Sequence, residues 1–220
     1  MEPPSVNELA KLIDHSIIDL FHTQTDLEEG PFRVKQARQL LADTDTKLQT
    51  FVCLPHGSDH TAVKVLQAEL ALQDGAQELD MVINISALLS GDIDYVEKDV
   101  KAVVETAKPY GVPVKAIVEV FFLNDEQLTA AALAAERAGV AFIKTSTGTK
   151  PDKTPDVEHS VRLLRSILKP ETTIKASGGC YTIDAILTYY RAGARRFGAS
   201  ETTKILDDYA VMLREGTTGF

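Results

Sequence analysis

The sequence predicts an α/β fold built on a parallel sheet, and three observations support this prediction. Amphipathic stretches that end in glycine, at Gly75, Gly139 and Gly193, are each followed by a short β-rich run. Seven such runs occur in the chain, and regular helix–strand alternation is typical of a closed (β/α) barrel or an open doubly wound sheet. No linker or low-complexity tract interrupts residues 1–220, so a single domain is expected.

The strands follow one another in chain order between recognisable helix ends. The three glycines suit the left-handed residue that closes a helix, and Pro109 and Pro170 end two further helices. Helix starts are indicated by Asp59, Asn124 and Thr154, whose side chains are typical N-caps. The predicted strands are residues 13–18, 50–54, 78–84, 114–120, 141–145, 172–176 and 196–199.

Composition and charge disfavour several classes of function. The 23 Lys and Arg stand against 32 Asp and Glu, a formal charge of −9, and an acidic chain repels nucleic-acid phosphates and anionic membranes. No apolar run reaches the ~18 residues of a membrane span, and the N-terminus lacks a secretory signal pattern. A cytoplasmic protein is therefore expected. The two cysteines, Cys53 and Cys180, lie in apolar strand-like runs that favour buried free thiols.

The spacing of His, Cys and Ser residues gives little support for a metal site or for a serine or cysteine nucleophile. His56 and His60 flank Asp59, yet short matches of this kind often mislead, and His56 is predicted to precede the helix. Neither a Ser/His/Asp nor a Cys/His nucleophile follows from the sequence. No metal ligand is assigned.

Charged side chains lie inside the predicted strands, where the strands of a covered parallel sheet are usually apolar. In residues 78–84 the apolar Leu79 and Met81 alternate with Asp80 and Val82, and a period of two sends these sets to opposite faces. In a barrel one face meets the helices and the other meets the lumen. One lumen is therefore expected to collect Asp14, Asp80, Asn84, Lys115, Glu119, Lys144 and Lys175.

These polar residues admit a structural and a chemical interpretation. They could be buried ion pairs kept for packing specificity, but such pairs are seldom net stabilising because each ion loses several kcal/mol of hydration. Their place at the carboxyl ends of strands, where barrel active sites lie, favours a functional site.

Two lysines in one lumen indicate amine chemistry. A lysine amine is nucleophilic only when neutral, and both burial and a neighbouring cation lower its pKa from the usual ~10.4. A close pair of Lys144 and Lys175 supplies both effects, giving one neutral amine that can form a Schiff base with a carbonyl substrate. Asp80 is then placed to move protons.

The chain resembles the deoxyribose-phosphate aldolases in several motifs. These are FIKTSTG at residues 142–148, IKASGG at 174–179, ELDMVIN at 78–84, LIDH at 12–15 and PHG at 55–57. The likeness covers nearly the whole chain in order. It implies a TIM-type (β/α) barrel that cleaves 2-deoxy-D-ribose 5-phosphate to acetaldehyde and D-glyceraldehyde 3-phosphate with neither metal nor cofactor.

The resemblance also implies roles for particular residues. Lys144 corresponds to the Schiff-base lysine, Lys175 to the cation that lowers its pKa, and Asp80 to the acid/base partner. The positions where the family holds the substrate phosphate are Gly148, Gly178, Gly179, Gly198 and Ser200. We also assign substrate binding to four residues of the polar strands: Asp14, Asn84, Lys115 and Thr145.

The chain departs from the family near the expected phosphate site. Tyr181 stands where the family usually has arginine, so one cationic contact is missing. The loop after Gly148 is stiffer and more basic than usual, and Lys150 or Lys153 is a candidate replacement for that cation. Cleavage of another or an unphosphorylated sugar is therefore the alternative activity.

A second departure lies in the N-terminal third. The rest of the first barrel helix and the second family strand have no counterpart here, a gap close to one strand plus a short helix. A seven-stranded barrel that is incomplete or distorted between residues 13–18 and 50–54 is expected, since strand number and shear are coupled. Exposed apolar surface is expected near Phe32 and Phe51. Direct closure of the two strands and irregular filling by residues 19–30 are the other two outcomes.

This gap also favours a third functional hypothesis, a catalytically impaired homologue that only binds a phosphosugar. The sequence does not determine the oligomeric state, and the resemblance is compatible with a homo-oligomer.

Overall fold

The computed structural model describes residues 3–16, 31–149 and 156–219. Within these ranges, seven strands form one parallel sheet in the order β1-β7-β6-β5-β4-β3-β2. The strands are β1 (Ile13–His15), β2 (Gln49–Val52), β3 (Glu78–Val82), β4 (Val114–Ile117), β5 (Phe142–Lys144), β6 (Thr173–Ser177) and β7 (Arg196–Ala199). The prediction of a TIM-type parallel barrel with seven strands is confirmed.

Helices alternate with the strands along the chain. Those found within the described ranges are α1 (Val6–Ala10), α2 (Val34–Leu40), α3 (Thr61–Gln73), α4 (Ile85–Leu89), α5 (Ile93–Ala107), α6 (Asp125–Arg137), α7 (Val157–Ile167), α8 (Ile183–Ala192) and α9 (Thr202–Glu215). Short 3₁₀ turns span Pro31–Arg33, Lys108–Tyr110 and Val120–Phe122. None of these helices is long and apolar enough to cross a bilayer.

Capping residues determine where several helices begin and end. Asn124 and Gln127 form a reciprocal capping box at the start of α6, and Gly193, at φ 120°, ends α8. The cap of α3 differs from the prediction: His60 rather than Asp59 is the N-cap, and its ring Nδ1 accepts from the backbone N–H of Ala62 at 3.3 Å. The predicted cap at residue 154 lies outside the described residues.

The two edges of the sheet fall in the N-terminal third. Among the described residues, β1 pairs with β7 and β2 pairs with β3, while β1 and β2 are not neighbours. This confirms the incomplete barrel, and direct closure of these strands is not observed in the described ranges. The segment 19–30 that was considered as a filler lies outside the described residues.

Side chains nevertheless bring the two edges to one place. Lys175 of β6 contacts Asp14 of β1 at 2.5 Å, and it also donates to Gln49 of β2 at 3.1 Å. Because strands at opposite ends of the sheet reach the same ammonium group, the sheet must curl around a common interior. The interior of the barrel is therefore held together by polar side chains as well as by strand pairing.

The predicted alternation of faces holds along the strands. Leu79, Met81, Ile143 and Ile174 are fully buried members of the hydrophobic core, whereas the alternating charged residues contact one another in the lumen. The expectation of exposed apolar surface is half right: Phe32 is 91% exposed, but Phe51 is only 6% exposed. The buried ring of Phe51 lies 5.6 Å from the Nζ of Lys144.

A second buried ion pair lies outside the lumen, between α3 and α5. The Nζ of Lys64 lies 2.5 Å from Asp99 and 3.2 Å from the carbonyl of Val82, and both paired side chains are fully buried. Thr61 donates to the same carboxylate at 2.7 Å. The pair therefore anchors two helices to the carboxyl end of β3.

Removing one partner of this pair should destabilise the protein strongly. We expect Asp99→Asn to lower the free energy of unfolding by about 3–5 kcal/mol, because an unpaired buried ammonium remains. The double variant Lys64→Met/Asp99→Leu should recover most of the loss. Denaturant titration measures both, with Glu158→Gln, which breaks an exposed pair with Arg162, as the matched control. Equal losses for the two carboxylate variants would contradict this account.

Candidate active site

Eight side chains from seven strands converge in the lumen and form what we call the ion cluster. Strand register brings them together, since Asp80 lies opposite Lys115 and Lys144 lies opposite Lys175. Parallel strands in register place such pairs side by side on one face. The members are Asp14, Gln49, Glu78, Asp80, Lys115, Lys144, Lys175 and Arg196.

Asp80 is the centre of the cluster. Its Oδ1 accepts from Lys115 at 2.8 Å, and its Oδ2 accepts from both Lys144 and Lys175 at 2.8 Å each. Burial alone would raise the pKa of this fully enclosed carboxyl, but the three lysines outweigh burial and hold the pKa well below its usual range. Asp80 is therefore a persistent carboxylate.

Lys144 and Lys175 share this carboxylate, yet their pKa values shift in opposite directions. Burial, opposed by Asp80 and reinforced by the nearby Lys175 and Lys115, lowers the pKa of Lys144 to about 8. Burial also acts on Lys175, but Asp80 and Asp14 outweigh it and raise the pKa of Lys175 above the usual value. Lys144 thus has an appreciable neutral fraction near physiological pH, while Lys175 stays a cation.

The remaining cluster members anchor the lysines from below and from the sides. Lys115 contacts Glu78 at 2.5 Å and also donates to Gln49 at 2.9 Å. Arg196 bridges Asp14 and Glu78, the latter at 3.1 Å. Asp14, predicted to join the lumen, has its pKa lowered because Lys175, Lys115 and Arg196 outweigh its burial.

Two residues predicted for the lumen follow the ends of their strands, and among the described residues neither bonds to the ion cluster. β3 ends at Val82, so Asn84 leaves the sheet and caps α4 by accepting from Ala87 N–H at 3.0 Å. β4 ends at Ile117, and Glu119 takes a left-handed backbone conformation with φ 57°. The alternation of faces stops where the strand stops.

Glu119 instead secures the loop that follows β5. Its Oε2 accepts from the backbone N–H and the hydroxyl of Thr147, at 3.0 and 2.6 Å. Thr145 was expected to bind substrate. Its hydroxyl donates to the carbonyl of Ser177 at 2.7 Å and accepts from the N–H of Ser177 at 2.9 Å. Both side chains stabilise neighbouring backbone rather than join the ion cluster.

The glycines expected at the phosphate site follow the carboxyl ends of β5 and β6 or lie in β7. Gly178 and Gly179 have φ values of 86° and 76°, a conformation that favours glycine. A Cβ at Gly178 would lie 3.2 Å from the ring of Phe121. Gly148 donates its N–H to Ser146 at 2.9 Å. Ser200 and Tyr181 are exposed close by in sequence, while Lys150 and Lys153 lie outside the described residues.

Three members of the ion cluster, Gln49, Glu78 and Arg196, were not predicted from the sequence. Glu78 shares the face of Asp80 two residues away, and Arg196 begins a predicted strand, so alternation could have found both. Gln49 carries no charge and precedes the predicted start of β2 by one residue; only its polarity beside an apolar strand marks it.

The structure also locates the two thiols and the side chains that could bind a metal ion. Cys53 and Cys180 are buried free thiols, as predicted, and burial raises the pKa of Cys180 to about 12. Within residues 3–16, 31–149 and 156–219, no group of three His, Cys, Asp or Glu side chains is arranged to hold a metal ion.

A parallel barrel whose lumen holds a carboxylate among lysines defines the class of barrel aldolases, and comparisons with known proteins give the family. Residues 33–202 match the model of the DeoC/LacD family aldolases. The chain is 38% identical to deoxyribose-phosphate aldolases of Aciduliprofundum boonei and Thermococcus gammatolerans, over 91% of this chain and 96% of each relative. The chain therefore belongs to the DeoC/LacD family of aldolases, which are carbon–carbon lyases.

A solved structure agrees with this assignment. The deoxyribose phosphate aldolase of Aeropyrum pernix, described as tetrameric, superposes with a TM-score of 0.85 at 28% identity and covers 94% of this chain and 93% of its own.

Proposed function

We propose that the protein cleaves 2-deoxy-D-ribose 5-phosphate to acetaldehyde and D-glyceraldehyde 3-phosphate through a Schiff base on Lys144. The observation that carries the proposal is the pair of lysines on one carboxylate, of which Lys144 has the lowered pKa, about 8, and Lys175 the raised pKa. The names of the relatives support the substrate.

The reaction begins with the neutral amine of Lys144. It adds to the C1 aldehyde of the open-chain sugar, and loss of water from the carbinolamine gives a protonated imine. Removal of the C3 hydroxyl proton breaks the C2–C3 bond, and the electron pair moves into the imine to form an enamine. Glyceraldehyde 3-phosphate leaves, the enamine takes a proton at C2, and water hydrolyses the new imine to release acetaldehyde.

Lys175 and Asp80 support these proton transfers. Lys175 remains an ammonium, so it lowers the pKa of Lys144. It can also donate a proton to the carbinolamine hydroxyl, which leaves as water. Asp80 stays ionised and hydrogen-bonds both amines, so a proton that it accepts passes on to a lysine rather than residing there. Asp14 and Lys115 act by holding these groups, and we assign no direct substrate contact to Asn84 or Thr145.

The substrate phosphate is proposed to bind at Gly148, Gly178, Gly179, Gly198 and Ser200. Backbone N–H groups of glycine-rich turns are suited to anions. If Lys150 replaces the cation missing at Tyr181, Lys150→Ala should raise KM for deoxyribose 5-phosphate about tenfold and leave cleavage of free deoxyribose unchanged. Steady-state kinetics on both sugars measure this effect. An equal loss on both sugars would implicate loop structure instead.

A second candidate activity is cleavage of another or an unphosphorylated sugar. It is favoured by Tyr181, which is 60% exposed and carries no charge where the family resemblance places arginine. A third candidate is a protein that binds a phosphosugar without turnover. Incubation with substrate and borohydride distinguishes it from an aldolase, because only a Schiff base is reduced to a stable adduct. Turnover assays with deoxyribose 5-phosphate and free deoxyribose then separate the two aldolases.

We further propose a cytoplasmic enzyme of one barrel domain, acting as a homo-oligomer without nucleic-acid partners. The net charge of −9 supports the last point, and the buried free thiols suit a reducing compartment. Light scattering of the purified protein tests the oligomer.

A further inference from the structure

The ion cluster carries unequal numbers of the two charges. Its carboxylates are Asp14, Glu78 and Asp80, three in all, and its cations are Lys115, Lys144, Lys175 and Arg196, four in all. With every group ionised, the buried cluster has one excess positive charge. Loss of one proton makes it neutral, and a buried network favours neutrality because net charge in a low dielectric is costly.

Gln49 occupies the position where a fourth carboxylate would fit. Its Oε1 lies between two ammonium groups, 2.9 Å from the Nζ of Lys115 and 3.1 Å from the Nζ of Lys175. The side chain is buried at 4% exposure, so both contacts are shielded from water. A site between two buried cations would suit a carboxylate better than an amide, yet the chain places a neutral residue there.

The orientation of this amide is determined by its neighbours. Turning it over would direct the NH₂ group at two ammonium ions, which only donate hydrogen bonds. In the observed orientation the Nε2 atom is buried without a hydrogen-bond partner among the described residues, a cost that a glutamate would avoid. The retention of an amide therefore calls for a reason other than stability.

We propose that Gln49 is a positioning residue whose neutrality keeps the ion cluster one carboxylate short, so that Lys144 is the member that gives up its proton. This inference rests on the proposed Schiff-base function and deepens it. Lys175 has three acceptors, Asp14, Gln49 and Asp80. Among the described residues, Lys144 has one hydrogen-bond acceptor in the lumen, Asp80. Lys144 therefore has fewer acceptors to stabilise its ammonium form than Lys175 has. It is the group that loses its proton when the cluster becomes neutral.

The groups that face these lysines come from every surrounding strand. Asp14 lies on β1, Glu78 and Asp80 on β3, Lys115 on β4 and Arg196 on β7. The thiol of Cys180, which follows β6, is near Lys175 and is neutral because its pKa is raised to about 12. Glu119, two residues after the end of β4, accepts from the hydroxyl of Thr147 and is not a member of the ion cluster.

The test is the nearly isosteric change Gln49→Glu in the full-length protein. A fourth carboxylate balances the four cations, so Lys144 should keep its proton to higher pH. The acid limb of the pH profile of kcat/KM should move up by at least about one pH unit, and the rate at pH 7 should fall about tenfold or more, with recovery at alkaline pH. Gln49→Met, which adds no charge, should leave the midpoint in place while lowering kcat.

A titration that does not need turnover keeps this test separate from the proposed function. Trace labelling with acetic anhydride, read by peptide mass spectrometry, reports the pH at which half of Lys144 is neutral. That midpoint should rise in Gln49→Glu and stay unchanged in Gln127→Glu, the same substitution in the exposed capping box of α6. An unchanged midpoint in Gln49→Glu, or equal shifts in Gln49→Glu and Gln49→Met, would overturn the proposal. Absence of turnover and of a borohydride adduct in the unmodified protein overturns only the proposed function.

Discussion

Lys144→Leu should abolish aldol cleavage, with a loss of kcat of ~10³-fold or more, because the substitution removes the amine that is proposed to form the imine. The leucine side chain leaves the ammonium groups of Lys115 and Lys175 paired with Asp80. The fold should therefore persist. Steady-state assay with deoxyribose 5-phosphate measures the loss, and the melting temperature reports whether the barrel is intact.

Covalent trapping gives the same assignment a direct readout. Borohydride reduction in the presence of acetaldehyde should add one two-carbon group to the protein, and peptide mass spectrometry should place it on Lys144. The Lys144→Leu protein should gain none. Labelling of Lys175 alone would falsify the assignment of roles.

The centre of the site could be predicted from the sequence because it depends on regular structure. Asp80, Lys115, Lys144 and Lys175 lie within paired strands, where a side-chain period of two and parallel pairing determine which groups share a face. The structure brings all four within hydrogen-bond contact. A long-range contact was predictable here because the repeat of the backbone sets it.

The rim of the site could not be predicted in this way. Asn84 and Glu119 have the right parity, but β3 ends at Val82 rather than at residue 84, and β4 ends at Ile117 rather than at residue 120. Local hydrogen bonds then determine the side-chain positions, since Asn84 accepts from the N–H of Ala87 in the first turn of α4 and Glu119 accepts from Thr147. Strand ends are where sequence patterns are least informative.

The sheet edges show a different limit. The sequence predicted seven strands and a gap in the N-terminal third, but how the two sheet edges meet depends on side chains from both edges. Asp14 and Gln49 meet at Lys175, a contact across 126 residues of sequence in the case of Gln49. No periodic pattern in the sequence reports such a contact, because neither partner is defined until the sheet has curled.

Replacement of Lys175 is expected to have the second largest effect on turnover. In Lys175→Met the neighbouring cation is lost, so three carboxylates face three cations and Lys144 keeps its proton. The pKa of Lys144 should rise from about 8 toward the ordinary ~10.4, and each unit reduces the neutral fraction at pH 7 tenfold. The rate at pH 7 should therefore fall about 10²-fold.

The sign of the pH dependence separates this explanation from a structural defect. In the unmodified protein kcat/KM should rise with pH and level off above about 8, where Lys144 is neutral. In Lys175→Met the rise should begin roughly two pH units later, so the ratio between the two proteins narrows as pH increases. Lys108→Met, which removes an exposed lysine paired with Glu105 at 3.7 Å, should leave the profile unchanged. A Lys175→Met enzyme that retains its rate at pH 7 would contradict the role of Lys175, since its charge would then have no bearing on the neutral form of Lys144.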